Sequence, residues 1–417
     1  MDVCVYLHIY PVYFSAGARN ETYETQGASH LLRVAAGLST KHATGFGITR
    51  SIQQIGGSLS VTSDREIIAY TIEVTRDNLE PALKFLESAV TGQIFKPWEI
   101  EDCMPRLKVD LANVSAQVRA VELLHRAAYR TGLGNSMFCP KYRVGKISSE
   151  TLQHFFASNF TGSRSAVAGI NVDQQVLSGF AQSLCLESGE GVKNDCKYRG
   201  GTDRRSEKGG RMSSVAVGTN AGSWANTNEA LAYAILHRAA GTIPATKRGA
   251  NNGTLTKIVQ SAAPNTAVTA LNATYSDNGL FGFVVSGPST EIGKAVEAGV
   301  KAMKSGSLSD EDIRRGKAGV KSDIAFAMET ESSLIESMVG QSVLQGNVWT
   351  LKAALDAVDA VSNTDVISVS SNGIQMTSIK YLICVCLFKA ARKLSAEKIT
   401  VAAVGNLEHV PYAADLN

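Results

Sequence analysis

At 417 residues the chain is too long for one ordinary hydrophobic core, which predicts two domains of about 200 residues each. Charged residues make up 19% and hydrophobic ones 44%, a globular balance that excludes a disordered chain. The net charge of +3 comes from dispersed basic residues, which excludes a nucleic-acid footprint; the one cluster, Arg204, Arg205, Lys208 and Arg211, reads as solvated linker.

In chain order, Val3 to Ser15 is rich in Tyr, Val and Ile and predicts a strand, broken at Ala16-Gly17. Met1 to Phe14 contains no Lys or Arg, so neither a transit peptide nor a signal peptide is expected there. Thr25 to Lys41 predicts a helix, with Leu31, Leu32, Ala35 and Leu38 on one face. A second short helix is expected over Ile48 to Ile55. Gly56-Gly57 then turns the chain into two antiparallel strands, Ser58 to Thr62 and Ile67 to Thr75. Helices follow over Leu79 to Val90, a long stretch Trp98 to Val121, Leu123 to Thr131 and Thr151 to Asn159. Ser165 to Ile170 is a closing strand. Glu187 to Gly210, rich in Gly, Lys, Arg, Asp and Ser, reads as the boundary between domains.

The second half repeats the first. Strand Ser214 to Thr219 runs into Asn220-Ala221-Gly222, as the first strand runs into Ser15-Ala16-Gly17. Helix Glu229 to Ala240 ends in ILHRAAG, matching LLRVAAG at Leu31 to Gly37. Strands Ala267 to Tyr275 and Gly279 to Ser286, helix Thr290 to Met303, a long capped helix after Leu308 and strand Ile399 to Val404 complete the match. One repeat of this length is a domain duplication, not a solenoid. The expected fold is α+β: two duplicated domains, each a mainly antiparallel sheet with helices packed on one face. The domains are 1–190 and 211–417, joined by a 191–210 linker, with the initial strands of the first incomplete. Between Val366 and Leu387 the second half carries a stretch, residues 367–386, that has no counterpart in the first. It is Ser-rich, then apolar, and reads as an insertion outside the ancestral fold.

Three classes of chemistry are excluded by residue types. Seven scattered cysteines offer no zinc-knuckle or CxxC spacing and fit reduced thiols. No apolar stretch reaches the roughly 18 residues of a membrane span; the longest, Tyr381 to Phe388, falls well short. No haem or iron–sulfur motif is present, and no cofactor is expected. The remaining question is the first helix. The inverted zinc-peptidase motif places His-x-x-Glu-His on one helix, so that two histidines four apart share a metal and the glutamate acts on its water. Here His30 occupies the first position, Arg33 the place of the glutamate and Val34 the place of the second histidine. An arginine repels the metal and a valine cannot ligate it. The repeat tests the motif again: Ala234, His237 and Arg238 stand at the matching places, and no second ligand lies four residues from His237. His30, Arg33 and Val34 are therefore a degenerate motif, with no catalytic and no metal-binding residue expected.

The chain resembles the pitrilysin-type inverted-zincin metallopeptidase family, whose members pair two such domains. The residues that carry the resemblance are Ser29 to Arg33, Phe46 to Arg50, Gly56 to Thr62, Ala127 to Arg130, Cys139 to Lys146, Tyr198 to Gly201, Lys247 to Gly249 and Asn272 to Gly282. They span nearly the whole chain. More narrowly, they resemble the family's non-catalytic branch, the core subunits of a mitochondrial respiratory complex. That resemblance implies a structural and assembly role on the matrix side of the inner membrane. The implied partners are a second core subunit and the other subunits of the complex, with no nucleic acid. Active family members carry a further glutamate about 77 residues beyond the motif; Lys108 to Ala112 contains none. The family's initial strand pair, expected before Val12 to Gly17, is missing or replaced. Gly241 to Gly253, where the regulatory subunit of a related processing peptidase has a glycine-rich loop, is poor in glycine. The alternatives are an inactive or regulatory processing-peptidase subunit, a zinc endopeptidase, and a free peptide-binding protein.

Overall fold

The computed structural model describes residues 7–189, 194, 196–206, 210–241, 253–305, 310–361 and 399–416. The stretch 367–386 and residues 242–252, between Gly241 and Gly253, lie outside the described residues. The elements run β1 (Leu7–Phe14), α1 (Ala28–Val34), α2 (Gly45–Gln54), β2 (Ser58–Ser63), β3 (Ile68–Thr75), α3 (Leu79–Thr91), α4 (Pro97–Asn113), α5 (Ala116–Tyr129), α6 (Ser149–Asn159), β4 (Ser165–Val167) and α7 (Gln174–Ser183). They continue with β5 (Thr202–Ser206), β6 (Met212–Ala221), α8 (Thr227–Ala240), α9 (Thr254–Ala262), β7 (Ala267–Thr274), β8 (Gly279–Pro288), α10 (Ser289–Ser305), α11 (Asp310–Ala327), α12 (Glu331–Gln345), α13 (Leu351–Ala360) and β9 (Thr400–Gly405).

The chain divides into two compact units that are not simply its two halves. One takes Met1–Asn113, Thr131–Asp195 and Met328–Val348; the other takes Val114–Arg130, Cys196–Ala327 and Trp349–Asn417. Helix α5 therefore belongs to the second unit and α12 to the first.

In the first unit the sheet order is β2-β3-β1-β4, all antiparallel. The period-2 alternation of a strand sorts its residues cleanly. Tyr10, Val12, Phe14, Ile68, Tyr70, Ile72 and Val74 face the main core, with Leu31, Leu32, Leu86 and Phe155 from the helices. Tyr13 and Ala69 face the other way and are covered by Ile335 and Val339 of α12. In the second unit the order is β5-β9-β6-β8-β7. Val215, Val217, Phe281, Phe283, Val401 and Ala403 face α8, α9 and α10. On the reverse face Gly218 leaves room for Leu124 of α5; a Cβ there would meet Leu124 Cδ2 at 3.1 Å. The expected layer of helices on one face is present in both units, and each adds one helix on the opposite face.

Three local readings are corrected. The stretch from Trp98 is two helices, because Ser115 stops α4 and caps α5 by accepting from Val118 N–H. Helix α7 follows β4 unforeseen. The linker contains β5, which pairs parallel to β9 from Thr202↔Val401 to Ser206↔Gly405. Arg204 is consequently not simply solvated: it donates to the carbonyls of Leu407 and Val410 and stacks on Tyr412 at 4.0 Å.

Candidate functional site

Helix α1 begins at Gly27, whose φ of +88° is a conformation that favours glycine. The residue offers no side chain to cap the free N–H groups of the first turn. Glu21 supplies the cap from outside the helix. Its Oε2 accepts from Gly27 N–H at 2.9 Å, and Oε1 accepts from Ser29 N–H at 2.9 Å and Ser29 Oγ at 2.6 Å. A carboxylate at a helix N-terminus is favourable. Burial nevertheless dominates and pushes the Glu21 carboxyl up to about 7.

That cap fixes how α1 presents His30, which is 1% exposed. Its Nδ1 accepts the backbone N–H of Cys139 at 3.1 Å, and its ring meets Phe138 edge-on at 5.7 Å. With Nδ1 accepting, the neutral ring carries its proton on Nε2. Nε2 faces Asp110 Oδ2 at 3.5 Å, too long for a full hydrogen bond. The same Oδ2 accepts from Arg33 NH2 at 2.9 Å. Burial, and then the Arg33 guanidinium, hold His30 down at about 4 against the opposing pull of Asp110. The ring is therefore neutral at pH 7. Val34 is buried in the core, and its carbonyl accepts from Arg106 at 3.4 Å.

The structure sets His30 and Arg33 against one carboxylate oxygen, that of Asp110, a residue that sequence reasoning missed. Asp110 lies 77 positions after Arg33, in the region where the active family's distal glutamate is expected. A search there for any carboxylate, not glutamate alone, finds it. The donor set does not fit zinc. His30 Nε2 and Asp110 are the two potential ligands here, and Arg33 already occupies the carboxylate oxygen they would share. Among the described residues no group of three or more His, Cys, Asp or Glu could hold a metal ion.

The corresponding helix of the second unit, α8, is capped locally, with Asn226 Oδ1 accepting from Glu229 N–H. His237 Nε2 meets the Ala270 carbonyl at 3.1 Å, and burial holds its pKa below the ordinary value. Arg238 donates through both Nε and NH2 to Asp323 of α11. In both units an arginine of the repeated helix is clamped to an aspartate of a later long helix.

The comparisons agree with this architecture. Residues 10–141 match the model of the insulinase family (peptidase family M16). Cytochrome b-c1 complex subunit 2, mitochondrial, of Homo sapiens is 34% identical, covering 97% of this chain and 86% of its own length. The Rattus norvegicus protein of the same description is 35% identical over the same shares. A probable mitochondrial-processing peptidase subunit alpha-1 of Arabidopsis thaliana is 25% identical over 86% of this chain and 74% of its own. A chain of Complex III2 from Candida albicans shares the fold, with a TM-score of 0.79 at 17% identity over 100% of this chain and 95% of that one. With a peptidase-like fold and relatives of this closeness over nearly its whole length, the chain belongs to the cytochrome b-c1 complex subunit 2 family, within the insulinase-type peptidases.

Proposed function

We propose that this chain is a non-catalytic core subunit of mitochondrial ubiquinol–cytochrome c reductase, Complex III, with a structural and assembly role in respiratory electron transport. The observation that carries the reading beyond kinship is the Arg33–Asp110 ion pair at 2.9 Å. It puts a fixed positive charge where a catalytic zinc would need a negative or neutral ligand. His30, Arg33 and Val34 then act as packing and clamping groups, and the chain needs no cofactor of its own. The duplicated stretches 1–190 and 211–417 supply the bulk of two peptidase-like domains, with α5 lent to the second, α12 to the first and β5 of 191–210 added to the second sheet; 367–386 is read as an insertion. The chain pairs with core protein 1 and other subunits on the matrix side of the inner membrane. Among the described residues no helix is long and apolar enough to cross a membrane, which accords with attachment through the complex.

Blue-native electrophoresis of mitochondria, followed by mass spectrometry of the bands, tests this. The chain is expected to co-migrate with Complex III. Migration as a free protein, or with a soluble processing peptidase, would overturn it. Zinc stoichiometry separates the enzyme reading: one tightly bound zinc per purified chain, lost on His30→Ala, would exclude the non-catalytic one.

A further inference from the structure

Beside α5 the second unit holds two buried tyrosines, Tyr129 and Tyr275, and the half-buried Tyr198. They differ in what their hydroxyls meet. Tyr129 O–H donates to the Gly279 carbonyl at 2.8 Å, and Tyr198 shares a hydrogen bond with the Thr400 hydroxyl at 2.7 Å. A carbonyl or a hydroxyl accepts a hydrogen bond but does not take up the proton near neutral pH. The Tyr275 hydroxyl lies 2.8 Å from Nε2 of His125, with the two rings edge-on at 5.8 Å. The other ring nitrogen, Nδ1, lies 2.8 Å from the Val121 carbonyl, which can only accept. The neutral ring therefore carries its proton on Nδ1 and turns a bare Nε2 to the phenol. An imidazole in direct hydrogen-bond reach is a group that can take the proton.

The fold places Tyr275 without requiring a phenol there. Residues 275–278 join β7 to β8 as residues 64–67 join β2 to β3. In each turn the first residue donates its backbone N–H to the carbonyl of the last at 2.8 Å, Tyr275 to Asn278 and Asp64 to Ile67. The first unit thus makes the same turn with an aspartate. Burial completes the arrangement, since His125 is 2% exposed and Tyr275 9%. Glu122, also buried, stands one turn earlier on the same side of α5, so an imidazolium formed at His125 is not an isolated buried charge. The Tyr129 and Tyr198 rings are 6.0 Å apart, and the Tyr129 hydroxyl is bound to the β7–β8 hairpin that carries Tyr275. Electrons cross such gaps without contact, whereas a proton moves only along a formed hydrogen bond.

We infer that Tyr275 and His125 form a redox-active pair, a sink for one-electron oxidants of the radical class, such as nitrogen dioxide. The oxidant takes one electron from the Tyr275 phenol and leaves as its anion, here nitrite. The phenol O–H bond breaks in the same step. Its proton forms the new Nε2–H bond of His125, whose Nδ1–H stays on the Val121 carbonyl. Tyr275 is left as a neutral phenoxyl radical, shielded from other radicals by burial. An electron vacancy that starts on Tyr198 or Tyr129 moves to Tyr275, because the base there takes the proton and traps it. A thiolate resets the pair: it gives one electron and becomes a thiyl radical, while Nε2 returns the proton to the phenol oxygen.

The test oxidises the purified full chain with flash-generated ruthenium(III) tris(bipyridine), a one-electron oxidant. Samples are frozen after a series of delays and read by electron paramagnetic resonance. Tyr23, Tyr142 and Tyr412 are exposed, so their radicals meet others and vanish early. The wild type is expected to keep a tyrosyl signal at late delays. Heavy-nitrogen labelling of histidine should change its pulsed spectrum, because the radical oxygen accepts from the imidazolium Nε2–H. Tyr275→Phe should lose the late signal. His125→Gln, folded by circular dichroism, should lose it too, since an amide accepts the hydrogen bond but does not take the proton. A purely structural tie would lose stability in either variant and give no late radical in the wild type. The pair is overturned by no late signal in the wild type, by one insensitive to histidine labelling, or by one that survives Tyr275→Phe or His125→Gln. The labelling result is read on the unaltered chain and decides the question even where a variant fails to fold.

Discussion

Helices α1 and α8 occupy the same place in two copies of one fold, yet they are held by different means. The first is capped by Glu21, a buried carboxylate outside the helix, and its histidine is sealed against Cys139 and Phe138. The second is capped by its own Asn226, and its histidine rests on a strand carbonyl. The arginine–aspartate clamp is common to both. A duplicated helix thus keeps its tether to the neighbouring long helix while its capping and its histidine drift. The first unit concentrates buried titratable groups around its copy; the second disperses them.

The caps give the largest expected contrast. Glu21→Ala leaves two buried N–H groups and the Ser29 hydroxyl without their acceptor and should cost about 3 kcal/mol or more. Asn226→Ala should cost about 1 kcal/mol, an ordinary N-cap loss. Urea denaturation of the two variants measures the difference; equal losses would break the contrast.

Titration gives a second, of similar size. His30 is held down at about 4, so between about 6.5 and 4 the unfolded chain binds more protons than the native one. Stability from this group rises with pH across that window and is lost on acidification. Glu21 is raised to about 7, so between about 4.5 and 7 the native chain holds the extra proton. Its contribution falls as pH rises. Each amounts to about 3 kcal/mol over its window, and the two oppose each other. Denaturation midpoints across pH 4 to 7 should therefore rise with pH in Glu21→Gln and fall with pH in His30→Gln. The wild type should be flatter than either.

Restoring the motif sharpens the comparison further. Arg33→Glu with Val34→His should let the first unit take up one zinc at micromolar metal, because His30 is already in place. The same residue types introduced by His237→Glu and Arg238→His should not, because Ala234 offers no ligand. Metal content after gel filtration decides. The smallest effect is expected at the clamps. Arg33 and Arg238 are partly exposed, and Arg33→Ala or Arg238→Ala should each cost about 1 kcal/mol or less.

Most of the strands and helices were legible because one face of each is buried, and burial imposes period 2 or 3.6 on residue type. The duplication was legible because LLRVAAG and ILHRAAG preserve the same small and large positions. What remained hidden has physical causes. Periodicity reports that α5 has an apolar face, with Leu124 and Ala128 on it, but not which sheet covers that face. Strand β5, TDRRS, has no apolar pattern; it is a strand because β9, far along the chain, offers it a backbone ladder. At the site His30, Arg33 and Val34 could be named from spacing alone. Asp110 could not be linked to them until α4 was packed beside α1.

The allocation of α12 to the first unit bears on how the protein is made. The Tyr13 and Ala69 face of the first sheet stays uncovered until Ile335 and Val339 have been synthesised. From the end of the preceding segment at Asp195 to Val339 is roughly 150 residues, or about 8 to 30 s at ordinary translation rates. During that interval the nascent first sheet presents a half-dressed apolar surface. A ribosome stalled before α12 should therefore hold a chain that chaperones bind and proteases cut, and one stalled well beyond it should not.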